Sequence, residues 1–191
     1  MNMETLAPAP KLSHLFTLRC AVDAPLEIGH GPYGRRRCVP ILSGSVQGPH
    51  FNGEVVPGGA DFMYVLHDPQ FYGLGREILS DQSFRLVEDD QTTHVNTNYV
   101  IKSDDGAFLY IKEDNIDVRR TEGTRAGPPE ILKALMDGGP VDPSQYWFHL
   151  HVKIETGHQK YKWMNDRVII GRATRAKGEV AYDAYFLENS P

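Results

Sequence analysis

Apolar residues in this chain alternate with polar ones in short runs, and almost every run is cut off by glycine or proline. Leu12 to Val22 sets the pattern: Phe16, Leu18, Cys20 and Val22 fall at every second position, with Thr17, Arg19 and Ala21 between them. Successive side chains of a strand point to opposite faces, so a period of two marks a strand with one buried face. The run stops before Pro25. Cys38 to Val46 repeats it, broken at Ser43-Gly44 as at a bulge or a barrel corner. Phe51 to Leu66 is interrupted by Pro57-Gly58-Gly59, which predicts a kinked strand whose backbone something approaches closely. Thr93 to Ser103 and Ala107 to Lys112 flank Asp104-Asp105-Gly106, a hairpin signal. Tyr146 to Thr156, Tyr161 to Ala173 and Val180 to Phe186 read as the last strands.

One short helix interrupts this pattern near residues 129–137. Pro128-Pro129-Glu130 suits a first helical turn, Ile131, Leu132, Leu135 and Met136 supply an apolar face, and Gly138-Gly139-Pro140 ends it. Seven or more strands and one helix at close spacing predict a mainly β fold, a single antiparallel β-barrel with a central cavity. Residues 1–11 read as a flexible lead-in and 12–191 as one barrel domain. Between His67 and Asp90 neither period holds, and Pro69, Gly73 and Gly75 lie among aromatic residues. A lid-like loop over about 67–92 is expected.

Composition narrows the partners. The net charge is −5, from 20 Lys and Arg against 25 Asp and Glu, which repels a phosphate backbone. Arg35-Arg36-Arg37 is the one tight basic run, and it suits a solvated turn or an anion clamp better than a nucleic-acid footprint. No segment approaches the roughly 18 apolar residues that span a bilayer, and the N-terminus lacks a secretory pattern, so the expected compartment is the cytoplasm. Cys20 and Cys38 each lie in an apolar segment, where a free thiol behaves as a small hydrophobe and a disulfide is not implied.

Three constellations can carry chemistry. Asp61 follows the Pro57-Gly58-Gly59 kink. It is either a carboxylate in a pocket, where desolvation tunes it for acid/base work, or an Asp that satisfies backbone N–H groups in a bend. Alternation from Tyr146 to Glu155 places Trp147, His149, His151, Lys153 and Glu155 on one face and Phe148, Leu150, Val152 and Ile154 on the other. If the polar face lines a cavity, His149 and His151 are proton-transfer groups and Lys153 an oxyanion stabiliser; the alternative is a solvated outer face. His149, His151 and Glu155 also match the core of a cupin metal pattern, without its flanking glycines or its second histidine motif. Tyr161, Trp163 and Asn165 share a strand face, as a platform for a planar ligand or as core. Arg36, Phe62, Tyr99 and Trp147 are further candidate ligand contacts. Asp104 and Asp105 are adjacent, so they face opposite ways and read as turn chemistry.

Leu15-Phe16, Gly34-Arg35-Arg36, Pro40-Ile41 with Gly44, Gly48-Pro49, Pro57-Gly58-Gly59-Ala60-Asp61, Asp104-Asp105-Gly106-Ala107, Gly127-Pro128-Pro129-Glu130, Val141-Asp142-Pro143-Ser144, Tyr146 to Phe148, Glu155-Thr156 and Tyr161 with Trp163 and Asn165 occur in this order along almost the whole chain. In these residues the chain resembles domain-of-unknown-function family 3237, whose members are similar to calycin-like barrels. The resemblance implies an antiparallel barrel, no obligate cofactor and frequent homo-oligomers, with some members acting as cyclases or isomerases in secondary metabolism, including closure of a hydroxyl onto an alkene. The chain departs from the family pattern at Phe62, where tryptophan is usual, at His149-Leu150, where Arg-Thr is usual, and in a longer connection from Met63 to Asn96.

The reading that follows is a metal-free cyclase or isomerase acting on an aromatic, polyketide-like small molecule through acid/base chemistry. Asp61, His149, His151 and Lys153 would be its catalytic groups. A non-catalytic carrier of an apolar metabolite is the alternative, and a cupin-like metalloenzyme the third reading.

Overall fold

A computed structural model describes residues 9–31, 34–65, 93–112, 123–126, 129–136, 139 and 141–189, so the loop expected over 67–92 lies outside the described residues. Twelve strands lie among the described residues: β1 (Lys11–Val22), β2 (Leu26–Gly31), β3 (Gly34–Gln47), β4 (Asn52–Asp61), β5 (Tyr64–Val65), β6 (Thr93–Val95), β7 (Thr97–Ser103), β8 (Phe108–Lys112), β9 (Gly123–Ala126), β10 (Trp147–Glu155), β11 (Ile169–Ala176) and β12 (Glu179–Glu188). Helix α1 (Pro129–Met136) sits where its proline and glycine signals place it, and two 3₁₀ turns cover Pro143–Gln145 and Lys162–Asp166.

Eight of these strands close an antiparallel barrel in the order β1, β12, β11, β10, β8, β7, β4, β3 and back to β1. The closing ladder runs from Thr17 opposite Gln47 to Val22 opposite Ile41. At one end the wall changes strands: the first residues of β3 pair with β5, the first half of β10 pairs with β9, and β6 joins these two short strands. The barrel therefore continues past the ends of β4, β7 and β8, with β2 added outside β3.

The predicted irregularities are where the glycines put them. Register shifts between Pro40 and Gly44 on the β3–β4 ladder, and between Val56 and Ala60 on the β4–β7 ladder. Gly58 has φ +111°, a conformation that side-chain-bearing residues avoid. A Cβ on Gly59 would stand 2.5 Å from the Tyr99 Cβ and 2.7 Å from the Asn98 carbonyl oxygen, so the element that approaches the kink is β7 itself.

Two expectations need correction, and one strand is an addition to them. Leu26–Gly31 is a strand in spite of Gly29 and Gly31, because it pairs with Arg35 to Cys38, and Glu27 bridges Arg35 and Arg37 at 3.1 and 2.7 Å. Tyr161 to Ala173 is not one strand: Tyr161 opens a 3₁₀ turn held by the Met164 N–H donating to its carbonyl, and β11 starts only at Ile169. Phe51 to Leu66 divides at Phe62-Met63 into β4 and β5.

The end of the barrel away from β5, β6 and β9 is packed solid. Phe16 meets Phe51 edge to face, Phe51 meets Tyr161 in turn, and Leu15, Leu109, Ile111, Ile154 and Met164 are fully buried. Asp105, in the β7–β8 turn, clamps this end. Its carboxylate accepts from Lys160 Nζ and the Tyr161 hydroxyl, both at 2.7 Å, and from the Ser103 hydroxyl at 2.5 Å. The Lys160 ammonium foremost, then the Ser103 and Tyr161 hydroxyls, hold its pKa well below the ordinary 3.8.

A carboxylate whose folded pKa is depressed stabilises the fold above its ordinary pKa, and that stability drains away as the pH falls. Asp105→Asn should therefore melt below wild type at neutral pH, with the gap narrowing as the pH drops under about 4, read by circular dichroism melts across pH. Gly59→Ala should cost about 1–3 kcal/mol in chemical denaturation, since the added methyl overlaps β7.

Candidate functional site

The barrel half nearer β5, β6 and β9 holds a cavity of about 50 Å³, walled by Leu18, Cys20, Val22, Val39, Ile41, Asp61, Met63, Val95, Thr97, Tyr99, Phe148, Leu150, Arg175, Val180 and Tyr182. Its floor is a bridge across the interior: the Tyr99 and Tyr182 hydroxyls lie 2.5 Å apart, and β7 and β12 stand on opposite sides of the eight-strand ring. Below the bridge the packed end begins. The cavity lining is aliphatic and aromatic except for Asp61, Arg175, Thr97, the Cys20 thiol and the two phenols.

Strand register explains why Asp61 points inward. It pairs with Val39 on β3 and with Thr97 on β7, and directly paired residues project to the same side of a sheet. Val39 and Thr97 both line the cavity, so the three form one inner row. One Asp61 oxygen, Oδ1, accepts from the Asn96 N–H at 2.9 Å. Asp61 thus satisfies a backbone N–H at a bend and also lines the cavity. Arg175 extends the inner row of β11 begun by the buried Ile169, Gly171 and Ala173. Burial foremost lowers its pKa, the Asp61 charge opposes that shift, and Arg37 adds to it.

The histidine strand turns out differently. On β10 it is Phe148 and Leu150 that line the cavity, so alternation puts Trp147, His149, His151 and Lys153 on the outer face. Their expected place in the pocket is corrected accordingly. Trp147 is 60% exposed and packs its ring against His149, centroid to centroid 3.9 Å. His149 is half-buried on that outer face, and burial first and the Arg172 charge second pull its pKa below 6.5.

Other expected ligand contacts are also outside the cavity. Tyr161, Trp163 and Asn165 belong to the packed end. The Tyr161 hydroxyl donates to Asp105, Trp163 meets His50 and Phe186 edge to face, and Asn165 exchanges hydrogen bonds with the Thr156 backbone, both at 3.0 Å. They are not a platform because residues 162–166 form a 3₁₀ turn, not a strand. Phe62 is 43% exposed, beyond the end of β4, and Arg36 lies on the face of β3 opposite Val39 and Ile41. Of the expected residues, Asp61 and Tyr99 are brought together in the cavity. Tyr182 and Arg175 were missed, and carrying the alternation of the last two strands through Arg175 and Tyr182 would have found them.

Among the described residues no three His, Cys, Asp or Glu side chains converge as metal ligands. His149 and His151 do not combine with Glu155 in that way. No disulfide joins Cys20 and Cys38. No helix among the described residues is long and apolar enough to cross a membrane.

Comparison with known proteins adds a family. The model for DUF3237, a protein of unknown function, matches residues 10–187. A UPF0311 protein of Rhodopseudomonas palustris is 28% identical over 180 residues, 94% of this chain and 98% of that protein. One from Clostridium acetobutylicum is 32% identical over 172 residues, 90% of each. Among solved structures, the conserved protein of unknown function from Rhodopseudomonas palustris superimposes with a TM-score of 0.75 at 28% identity, covering 95% of this chain and 100% of that one. A β-barrel-like protein from Acinetobacter baumannii gives 0.70 at 29% identity, covering 97% and 100%. An enzyme from Penicillium herquei shares the fold at a TM-score of 0.57 and 15% identity, covering 97% and 100%.

The outer-face position of His149 sets a test. Long-range nitrogen–proton NMR should find its ring neutral at pH 7 and titrating below 6.5. Because its folded pKa is the depressed one, the unfolded chain takes up this proton more readily, and the residue costs stability as the pH falls through 6.5.

Proposed function

The chain belongs to the DUF3237 family of proteins of unknown function, and we propose that this member is a cofactor-independent cyclase or isomerase acting on a phenolic metabolite by acid/base catalysis inside the barrel. The observation that carries the reading is the Asp61 carboxylate on the wall of an otherwise mostly apolar cavity, with one oxygen fixed by the Asn96 N–H. A positioned carboxylate in such a setting is suited to move protons. Membership of the family alone carries no reaction.

The chemistry this arrangement supports is closure of a phenolic hydroxyl onto an alkene conjugated to a carbonyl. Asp61 takes the phenol proton as the oxygen attacks the distal alkene carbon, which forms the C–O bond and leaves an enolate. The protonated Asp61 then returns the proton to the carbon beside the carbonyl. Atoms and electrons balance with no redox partner. In this reading a hydroxyl of the Tyr99–Tyr182 pair, at the cavity floor, would donate to the enolate oxygen. The cavity, at about 50 Å³, is far below the roughly 300–1,000 Å³ of drug-sized sites, which favours a single-ring substrate over a polycyclic one.

The predominance of aliphatic and aromatic lining residues also fits a carrier that holds an apolar metabolite without changing it. An ortho-hydroxyphenyl propenyl ketone separates the two readings. A cyclase gives methylchromanone with one enantiomer in excess, and Asp61→Asn should lower that rate by roughly 10²-fold. Recovery of unchanged, tightly held ketone favours the carrier. An unaltered rate in Asp61→Asn removes Asp61 from the mechanism.

A further inference from the structure

Arg175 lines the cavity and takes no part in the proton transfers proposed for Asp61. Its backbone is fixed, since its N–H donates to the Tyr146 hydroxyl at 3.2 Å. Its side chain has no hydrogen bond or ion pair among the described residues. The charges near it do not satisfy it. Glu27 is engaged with Arg35 and Arg37, Arg37 is a like charge, and the Asp61 charge favours the Arg175 cation while Asp61 Oδ1 accepts from Asn96.

A guanidinium carries five donors in a planar fork and stays charged throughout the physiological range. Desolvating such a group without partners is costly, and buried polar groups in folded proteins are satisfied almost without exception. An Arg175 facing a cavity therefore has donors available for whatever enters it. The planar fork matches the two oxygens of a carboxylate, and the flanking Val39, Ile41, Leu150 and Tyr99 are suited to an aryl or alkyl body attached to it.

We propose that Arg175 is the anchor of this cavity for an anionic ligand, an aryl carboxylate whose carboxylate pairs with the guanidinium while its ring packs on the apolar wall. The inference rests on the same cavity being the functional site, and it names the charged handle of the substrate that Asp61 would act upon. Arg175 is a positioning residue here, and its effect is read in binding.

Isothermal titration of the full chain with benzoate and with the uncharged, similarly shaped benzamide, at neutral pH and moderate salt, tests this. Wild type should bind benzoate about tenfold tighter than benzamide or better, as a charge-assisted pair in a sheltered site provides. Arg175→Gln should erase that preference and leave benzamide binding within about twofold, and Arg175→Lys, which keeps the charge but loses the fork, should restore only part of it. Asp61→Asn should tighten benzoate, because a neighbouring negative charge is gone. Equal affinity for the two compounds in wild type, no benzoate binding, or a preference that survives in Arg175→Gln would overturn the assignment. The two proposals fail separately. Unchanged ring closure in Asp61→Asn with the benzoate preference intact overturns the acid/base reading alone, and lost preference with Asp61-dependent closure intact overturns the Arg175 anchor alone.

Discussion

Everything in this fold depends on the ladder between β1 and β3. Without it the sheet would end in two long open edges, and exposed edges invite pairing with other chains. With it the sheet becomes a ring, and each strand acquires an inside and an outside. Glycine makes the crossing close enough. A Cβ on Gly44 would lie 2.6 Å from the Arg19 carbonyl oxygen and 2.7 Å from Val55, and one on Gly48 would lie 2.3 Å from the Leu15 carbonyl oxygen. The strand that closes the barrel thus passes through positions where a side chain has no room.

Closure then divides the interior in two. At one end large rings and branched chains interdigitate down to the Asp105 clamp. At the other, the Tyr99–Tyr182 bridge carries the wall across and leaves space above it. Into that space the register of β4 turns one carboxylate and that of β11 one guanidinium. Charged side chains in the wall of an apolar cavity are costly without partners, which makes the cavity, and not the histidine-bearing outer face, the candidate site.

Much of this was legible from alternation and punctuation. The period of two in β1, β10 and β12, the Asp-Gly hairpin and the proline-led helix each encode a local preference, and local preferences agree with the barrel. The bulges at Gly44 and Gly59 were readable for the same reason. What local pattern could not decide was which face of β10 looks inward, because alternation is symmetric until the ring is closed. The apolar face won the interior, so the histidines went outside. Tyr161 to Asn165 misled because its alternation coincides with a 3₁₀ turn whose side chains are held by Asp105 and the Thr156 backbone, partners distant in sequence or invisible to a period. The β2 strand was hidden by glycines that its pairing with β3 overrides.

If a ligand enters the barrel between Asp61 and Arg175, and does not bind the outer face of β10, intermolecular NOEs from the ring protons of a bound aryl ligand to methyl-labelled protein will show it. Contacts to Val39, Ile41 and Leu150 are expected. Contacts confined to Trp147, Ile170 and the other outer-face residues around His149 and His151 would contradict it.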